Sequence, residues 1–395
     1  MPLIKVAHVT TVDLSLRYLL LNQLLSIQRE GYQVVGISSP GAETVIIEAE
    51  GIHHIPVPMT RNLTPLADLV SLWRLYRVMR QERFTIVHTH TPKAGLLGRL
   101  AAHLANVPIV VHTVHGFYFH EHMSPAGRRF YTAIERTAAR CSDLILSQNQ
   151  EDVCMAIEER ICLPEKIKYL GNGIDLQRFD PARLSPEDLE NQRARLGLPA
   201  TTPVVGFVGR LAQAKGLLEL FSAVRIVQEQ VPNVRLLVVG AADFPKRDAV
   251  TPDRAREYGI ADSCIFTGRR QDMPDLYALM DLLVLPSYGR EGIPRVLMEA
   301  SAMKVPCVAT DVRGCREAVE HGRNGLLVAL GDVQALAEAI IDLLTDRQKA
   351  QRLGEEGRRI ARERFDERRV FETIKAEYAR LLSEKGLPAL RPPCA

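Results

Sequence analysis

Apolar residues along the chain fall into two alternating patterns. Short runs such as "IKVAHVT", "YQVVGIS", "FTIVHTH", "PIVVHTV", "DLILS" and "KIKYL" are nearly continuous and rich in β-branched residues, as buried strands are. Between them lie longer stretches, "LSLRYLLLNQLLSIQRE" and "AGLLGRLAAHLA" among them, whose apolar positions recur every three or four residues. Strand and helix in strict alternation predict an α/β protein with parallel sheets covered on both faces. The periodicity fails near "GNGIDLQRFDPARLSPEDLENQ", where Gly, Pro and Asp collect as in a linker. It then begins again with "TPVVGFVGR", "VRLLVVG", "CIFTG", "DLLVLPS", "VPCVAT" and "NGLLV", separated by helical patterns such as "GLLELFSAVRIVQEQ". Two consecutive Rossmann-like halves, residues 1–185 and 186–365, account for this better than one large sheet. From "DVQALAEAIIDLLTD" to "RRVFETIKAEYARLLSEKG" the pattern is wholly helical.

Bulk properties narrow the picture. A chain of 395 residues exceeds one ordinary core. With 46% hydrophobic and 25% charged residues the composition is that of a globular protein, and no apolar run reaches the roughly 18 residues that span a bilayer. The start "MPLIKVAHVTTVD" alternates like a strand and lacks a cleavage site, so a cytoplasmic protein is expected. Seven cysteines without a C-x-x-C pair point to buried thiols rather than disulfides or structural zinc. The net charge of +3 is small but unevenly spread: residues 61–140 hold 11 Lys or Arg against 4 Asp or Glu. In "SLWRLYRVMRQERF", Arg74, Arg77, Arg80 and Arg83 recur every third residue. On a helix they make one basic stripe, either a solvated face or a contact for an anionic membrane surface.

In open parallel sheets, ligands bind beyond the carboxyl ends of the strands, so the residues following each apolar run carry the chemistry. In "VGFVGRLAQAKG", Gly209 ends a strand, and Arg210 and Lys215 precede a helix opening at Gly216; a diphosphate there would meet two cations and a helix N-terminus. In "DLLVLPSYGREGIPRVLMEA", Leu282 to Leu285 reads as a strand, Glu291 lies on the following loop, and Glu299 sits about two turns into a helix running from Ile293 to Met303. Amides of Gly292 and its neighbours face the same edge. "VATDVRGCREAVE" adds Thr310, Asp311 and Gly314 at a third strand end. In the first half, His88, His90 and Lys93 in "HTHTPKAG", and His112 and His115 in "VVHTVHGFYFHEH", crowd strand ends. Histidines two apart share a face, which raises a metal site. No carboxylate or cysteine has matching spacing nearby, so His115, followed by Gly116, reads instead as a hydrogen-bonding or proton-handling group.

With these motifs in their order, "HG" after a strand, "GNGID" at the linker, "GRLAQAKG", and two glutamates flanking "GIPRVLM", the chain resembles the retaining, nucleotide-sugar-dependent glycosyltransferases of family 4. The resemblance implies the GT-B fold: two facing Rossmann-like domains with a central cleft, and a helical C-terminal segment, 366–388, returning to complete the first. It implies that Glu291 lies near the donor sugar, Glu299 binds the ribose hydroxyls, Arg210 and Lys215 hold the diphosphate, and Gly209, Gly292, Ile293 and Gly314 line the donor site. His115 matches the histidine near the transferred sugar. Many relatives have a glycine-rich loop after the first strand; here "TTVDLSLR" stands in its place, offering Thr10, Thr11, Ser15 and Arg17. Thr11, Ser15, Arg17, His90 and Lys93 are expected on the acceptor side.

The implied activity is transfer of a hexose or N-acetylhexosamine from a UDP-sugar to a polyprenyl-diphosphate-linked sugar or polysaccharide, without metal or other cofactor, as in the bacterial branch that builds surface glycans. The enzyme would be cytoplasmic, held to the inner face of the plasma membrane if the basic stripe binds lipid. A UDP-sugar epimerase of the same architecture and an inactive nucleotide-sugar-binding protein are the alternatives.

Overall fold

The computed structural model describes residues 4–119, 123–242, 248–289 and 292–388. The chain forms two compact units, one comprising the chain up to Gly171 together with the segment from Arg368 onward, the other Asn172–Glu367. The segment 172–185 thus belongs to the second unit, whose core takes in Ile174 and Phe179.

Among the described residues the first unit holds seven strands: β1 (Lys5–Val12), β2 (Gln33–Ser39), β3 (His53–Pro56), β4 (Ile86–His90), β5 (Ile109–Val114), β6 (Leu144–Ser147) and β7 (Ile167–Tyr169). They pair in the order β3-β2-β1-β4-β5-β6-β7, all in parallel. The second unit holds β8 (Val204–Val208), β9 (Arg235–Val239), β10 (Cys264–Gly268), β11 (Leu282–Leu285), β12 (Cys307–Thr310) and β13 (Gly325–Val328), in the order β10-β9-β8-β11-β12-β13, again parallel. The α/β architecture predicted from the alternation is what the chain adopts, and each predicted run forms a strand. Only β3, four residues of "HHIP" at the sheet edge, escaped the reading, because two histidines and a proline do not look like a strand.

Each sheet is covered on both faces. In the first unit one face packs against a layer containing Leu16, Leu20, Leu24, Ile374, Tyr378 and Leu382, so the C-terminal helix Glu367–Glu384 completes that core. The other face packs against Leu75, Met79, Leu97 and Ala101. Proline opens the helices Pro65–Glu82, Pro92–Leu104 and Pro125–Arg140, where its missing N–H is no loss. Among the described residues, no helix is long and apolar enough to cross a membrane.

One expectation is corrected. "TTVDLSLR" is not a loop: β1 runs to Val12, and the chain is helical from Asp13, with a π-helical turn at Leu16–Leu20. The Asp13 carboxylate makes the abrupt change feasible by accepting from the amides of Leu14 and Glu43.

Candidate functional site

In the second unit the winding of the sheet reverses between β8 and β11, since β9 and β10 lie on one side of β8 and β11 to β13 on the other. The crevice outside such a reversal is where doubly wound sheets bind ligands. Two segments meet there. After β8, Gly209 and Leu211 donate to the carbonyls of Val239 and Ala241, and a single turn at Gln213–Lys215 leads to Gly216. Gly216 has φ of +69° and lies so close to the loop after β11 that a Cβ would stand 1.9 Å from the Pro286 carbonyl oxygen, so no other residue fits. The contact is reinforced by the Tyr288 amide donating to the Ala214 carbonyl at 3.1 Å and by the Thr310 hydroxyl donating to the Ser287 carbonyl. The ends of β8, β11 and β12 are thereby tied into one rim.

Arg210 and Lys215 both lie on this rim, half-buried. Burial first, and the Arg210 guanidinium second, lower the Lys215 pKa to about 8. Two helices open onto the same edge, Leu217–Gln230 and Arg295–Ala302, and neither is capped by the side chain of its N-cap residue, Gly216 or Pro294. Some other helices are capped, with Ser185, Asp332 and Asp346 accepting from amides in the first turns of the helices they precede, while Pro65–Glu82 and Pro92–Leu104 also lack a side-chain cap. Paired cations beside free helix N-terminal amides are the groups that suit an anion.

Glu299 lies within Arg295–Ala302, with its side chain 13% exposed. Its Oε2 accepts from the hydroxyl of buried Tyr277 at 2.8 Å, and its Oε1 lies 3.8 Å from Arg295 Nε. Burial and the facing carboxylate raise the Tyr277 pKa well above its ordinary value, so the phenol stays a donor. Ile293, buried, is pinned through its carbonyl by Asn172 Nδ2 at 3.2 Å. Gly292 is buried beside it, and Gly314, at φ of +87°, precedes the four-residue helix Cys315–Ala318. Glu291 lies outside the described residues.

In the first unit the reversal falls between β1 and β4. There the Thr11 amide donates to Thr91 Oγ1 at 3.2 Å and the two hydroxyls meet at 2.9 Å. Thr91 has φ of +60° and ψ of 148°, a conformation that costs a β-branched residue about 1–3 kcal/mol and is tolerated mainly at functional turns. Lys93 is committed to scaffolding: its ammonium meets Asp68 Oδ1 at 2.6 Å and Thr60 Oγ1 at 2.8 Å, holding the 60–68 segment. His90 is buried, and its Nδ1 lies 3.1 Å from Nε2 of half-buried His115. Ser15 and Arg17 lie on the helical turns after β1, half-buried, with the Arg17 guanidinium over the Tyr18 ring. His112 points to the opposite sheet face, against Thr89 and Gly95. Asn172 belongs to the "GNGID" motif, but Tyr277 and Thr91 carry no signal in the sequence; their importance comes from partners 22 and 80 residues away.

This fold with this rim defines a class, the GT-B glycosyltransferases. Residues 188–360 match the family described as glycosyl transferases group 1, and residues 20–173 the glycosyl transferase 4-like domain. The chain is 30% identical over 349 residues, 87% of its length and 89% of the relative's, to UDP-Gal:alpha-D-GlcNAc-diphosphoundecaprenol alpha-1,3-galactosyltransferase of Escherichia coli. It is 28% identical over 96% of its length, and 98% of the relative's, to the capsular polysaccharide biosynthesis glycosyltransferase CapM of Staphylococcus aureus. The crystal structure of Anabaena HepE in complex with UDP-glucose superposes with a TM-score of 0.79 at 26% identity, covering 96% of this chain and all of that one. The chain belongs to the group 1 glycosyltransferases and is an enzyme of that kind.

Proposed function

We propose that the enzyme moves a hexose or N-acetylhexosamine from a UDP-sugar to a hydroxyl of a polyprenyl-diphosphate-linked sugar or polysaccharide, as a retaining, family 4 glycosyltransferase. The observation that carries this reading is the rim of the second unit, where Arg210, Lys215 and two uncapped helices converge beside the Tyr277-held carboxylate of Glu299. The named activities of the Escherichia coli and Staphylococcus aureus relatives, and the UDP-glucose bound by the Anabaena protein, support the same donor and acceptor classes.

In this reading Arg210 and Lys215 take the diphosphate with the amides of Gly209, Gly292, Ile293 and Gly314. Glu299 accepts the ribose hydroxyls, Glu291 and His115 serve the transferred sugar, and Thr11, Ser15 and Arg17 belong to the acceptor side. The acceptor hydroxyl attacks on the face from which the diphosphate leaves. The anomeric C–O bond to phosphate breaks, the bond to the acceptor oxygen forms, and the departing phosphate oxygen takes the proton. Charge developing on that oxygen is met by the two cations, so no metal is required; EDTA is expected to leave turnover unchanged. Removing either cation should cost on the order of 100-fold in turnover.

The helix Pro65–Glu82 supports a place at an anionic membrane surface, where such an acceptor resides. Its outward face carries Leu66, Leu69, Val70 and Trp73 in one half and Arg74, Arg77 and Arg80 in the other, with Arg83 just beyond. Apolar residues for the acyl boundary beside cations for headgroups suit peripheral binding at the inner leaflet.

The test is incubation with a panel of UDP-sugars, with and without polyprenyl-diphosphate-linked acceptors, read by mass spectrometry. Acceptor-dependent addition of one sugar is expected. An epimerised UDP-sugar formed without acceptor would establish the isomerase alternative, and binding without turnover of any pair would establish an inactive binding protein.

A further inference from the structure

At the end of the first unit where its strands begin lies a cavity of about 520 Å³ that the transfer step does not use. Small-molecule sites span about 300–1,000 Å³, so it has room for a ligand or for part of a lipid. Its walls are Ile4 before β1, Phe84 before β4, Val107 before β5, Met79 in the last turn of Pro65–Glu82, Ala105 after Pro92–Leu104, and Leu387 beyond the C-terminal helix. Ile4, Met79, Phe84 and Ala105 are buried, and Val107 and Leu387 half-buried.

Against these apolar walls stand two exposed cations, Arg80 and Arg83, which line the same cavity. Neither guanidinium has a hydrogen bond or ion pair with another described residue. The neighbouring carboxylates are already answered, Glu82 by Lys5 and Asp143 by Lys385. A cation in the last turn of a helix suits the macrodipole, which accounts for Arg80 alone. Arg83 lies past that turn, at φ of 52° and ψ of 49°, the left-handed position where glycine is usual because it has no Cβ to strain. An arginine is thus held where the backbone favours glycine, and its side chain lines the cavity.

We propose that this cavity binds one anionic phospholipid of the membrane surface, with a hydrocarbon chain against Ile4, Met79, Phe84 and Val107 and the phosphate between Arg80 and Arg83. The walls offer a sugar phosphate little to bond with, whereas a chain carrying one phosphate matches both the apolar interior and the two cations. The occupant is not the acceptor at its point of reaction. The five residues of β4, at about 3.3 Å each, separate the cavity from the strand ends where ligands of such sheets bind. The helix Pro65–Glu82 follows β3 and precedes β4, so it runs back along the parallel sheet with Leu66 to Trp73 toward the strand ends and its last turn at the cavity. The proposal rests on the membrane docking of this helix for its setting and adds to it. A helix held only by a basic stripe can slide over the surface, but one captured lipid at its far end fixes how the helix lies.

The test is calorimetry of the full-length protein with dihexanoylphosphatidic acid, kept below its micelle-forming concentration, with saturating UDP present to occupy Arg210 and Lys215. Binding at one site is expected, at least tenfold tighter than for dihexanoylphosphatidylcholine or for glycerol 3-phosphate, and weakened by salt. Val107→Trp fills the cavity from a half-buried position and should weaken the lipid at least tenfold. Arg83→Gly removes one cation and supplies the residue that the backbone favours, so affinity should fall at least fivefold while the melting temperature stays at or above that of wild type. Both variants should bind UDP as wild type does, because the donor rim lies in the other unit. Equal affinity for the choline lipid or for glycerol 3-phosphate, or unchanged affinity in both folded variants, would overturn the proposal. So would a lower melting temperature of Arg83→Gly with the anionic preference intact, which would assign the guanidinium to the helix end. Tight binding only in a chain ending at residue 388 would give the cavity to the protein's own last residues instead. No binding of the monomeric lipid, with co-sedimentation on anionic vesicles intact, would remove this site and leave the surface docking standing.

Discussion

Lys215 is the residue whose charge state the fold places within reach of ordinary pH. Its free-state pKa of about 8 is low because burial and Arg210 both disfavour the ammonium. A diphosphate beside it would favour the ammonium and raise that pKa, so binding must draw a proton onto the lysine above about pH 8. UDP affinity is therefore expected to be flat below that value and to fall above it, by at most tenfold per pH unit. Calorimetry in buffers of different ionisation enthalpy should report proton uptake near pH 8.5 that disappears in Lys215→Arg. Equal uptake in the variant would refute the assignment. Tyr277 offers a second single-residue test. Its hydroxyl donates to Glu299, and a hydrogen bond to a charged group contributes about 1.5–3 kcal/mol. Tyr277→Phe should weaken UDP at least tenfold while weakening free diphosphate little, and equal loss for both would detach Glu299 from the ribose.

At the scale of the element, the helix Pro65–Glu82 shows what periodicity can and cannot supply. The arginines at every third position were legible as a stripe, but Trp73, Tyr76 and Met79 between them looked equivalent. In the structure Met79 is buried, Tyr76 is half-buried and Trp73 is exposed, with Arg77 stacked over its ring at 4.8 Å. Leu66, at 82% exposure, lies on the same outward arc. A helix with two apolar arcs does not say in its own sequence which arc faces the core; the packing of Ser71, Leu75 and Met79 decides it. The exposed apolar half changes the expected salt response. A purely electrostatic contact would vanish once the Debye length falls well below its physiological value of about 8 Å, but an inserted Leu66 and Trp73 should retain part of the binding. Co-sedimentation with anionic vesicles should therefore fall only partly with salt in wild type, and completely in Leu66→Ser/Trp73→Ser. Equal recovery on neutral vesicles would remove the membrane from the account.

For the whole molecule, strand ends among the described residues were legible because twelve of the thirteen strands there are short, mostly apolar runs, and the strand-end rule then pointed to Gly209, Arg210 and Lys215, whereas Glu299, two turns into a helix, was singled out by the family resemblance. What stayed hidden depends on chain paths that no local pattern encodes. Tyr378 joins His8 and His88 from 370 and 290 residues away, and Gly173 lies so close to the backbone of Glu367 that a Cβ there would stand 2.5 Å from its Cα. The same paths make the two units unequal in how they can be cut. Both core clusters of the second unit are built only from residues between Ile174 and Phe365, whereas the first unit's core needs Val370, Ile374, Tyr378, Leu381 and Leu382 from the far end of the chain. Five buried side chains at about 2 kcal/mol each amount to roughly 10 kcal/mol, comparable with the entire stability of a typical domain. A chain ending at residue 367 is therefore expected to lose the cooperative melting of the first unit while the second still unfolds as a unit and still binds UDP. Supplying residues 366–388 as a peptide should restore the lost transition, because the strands that receive the helix are all present. Two intact transitions in the truncated chain would mean that the helix decorates the first unit rather than completing it.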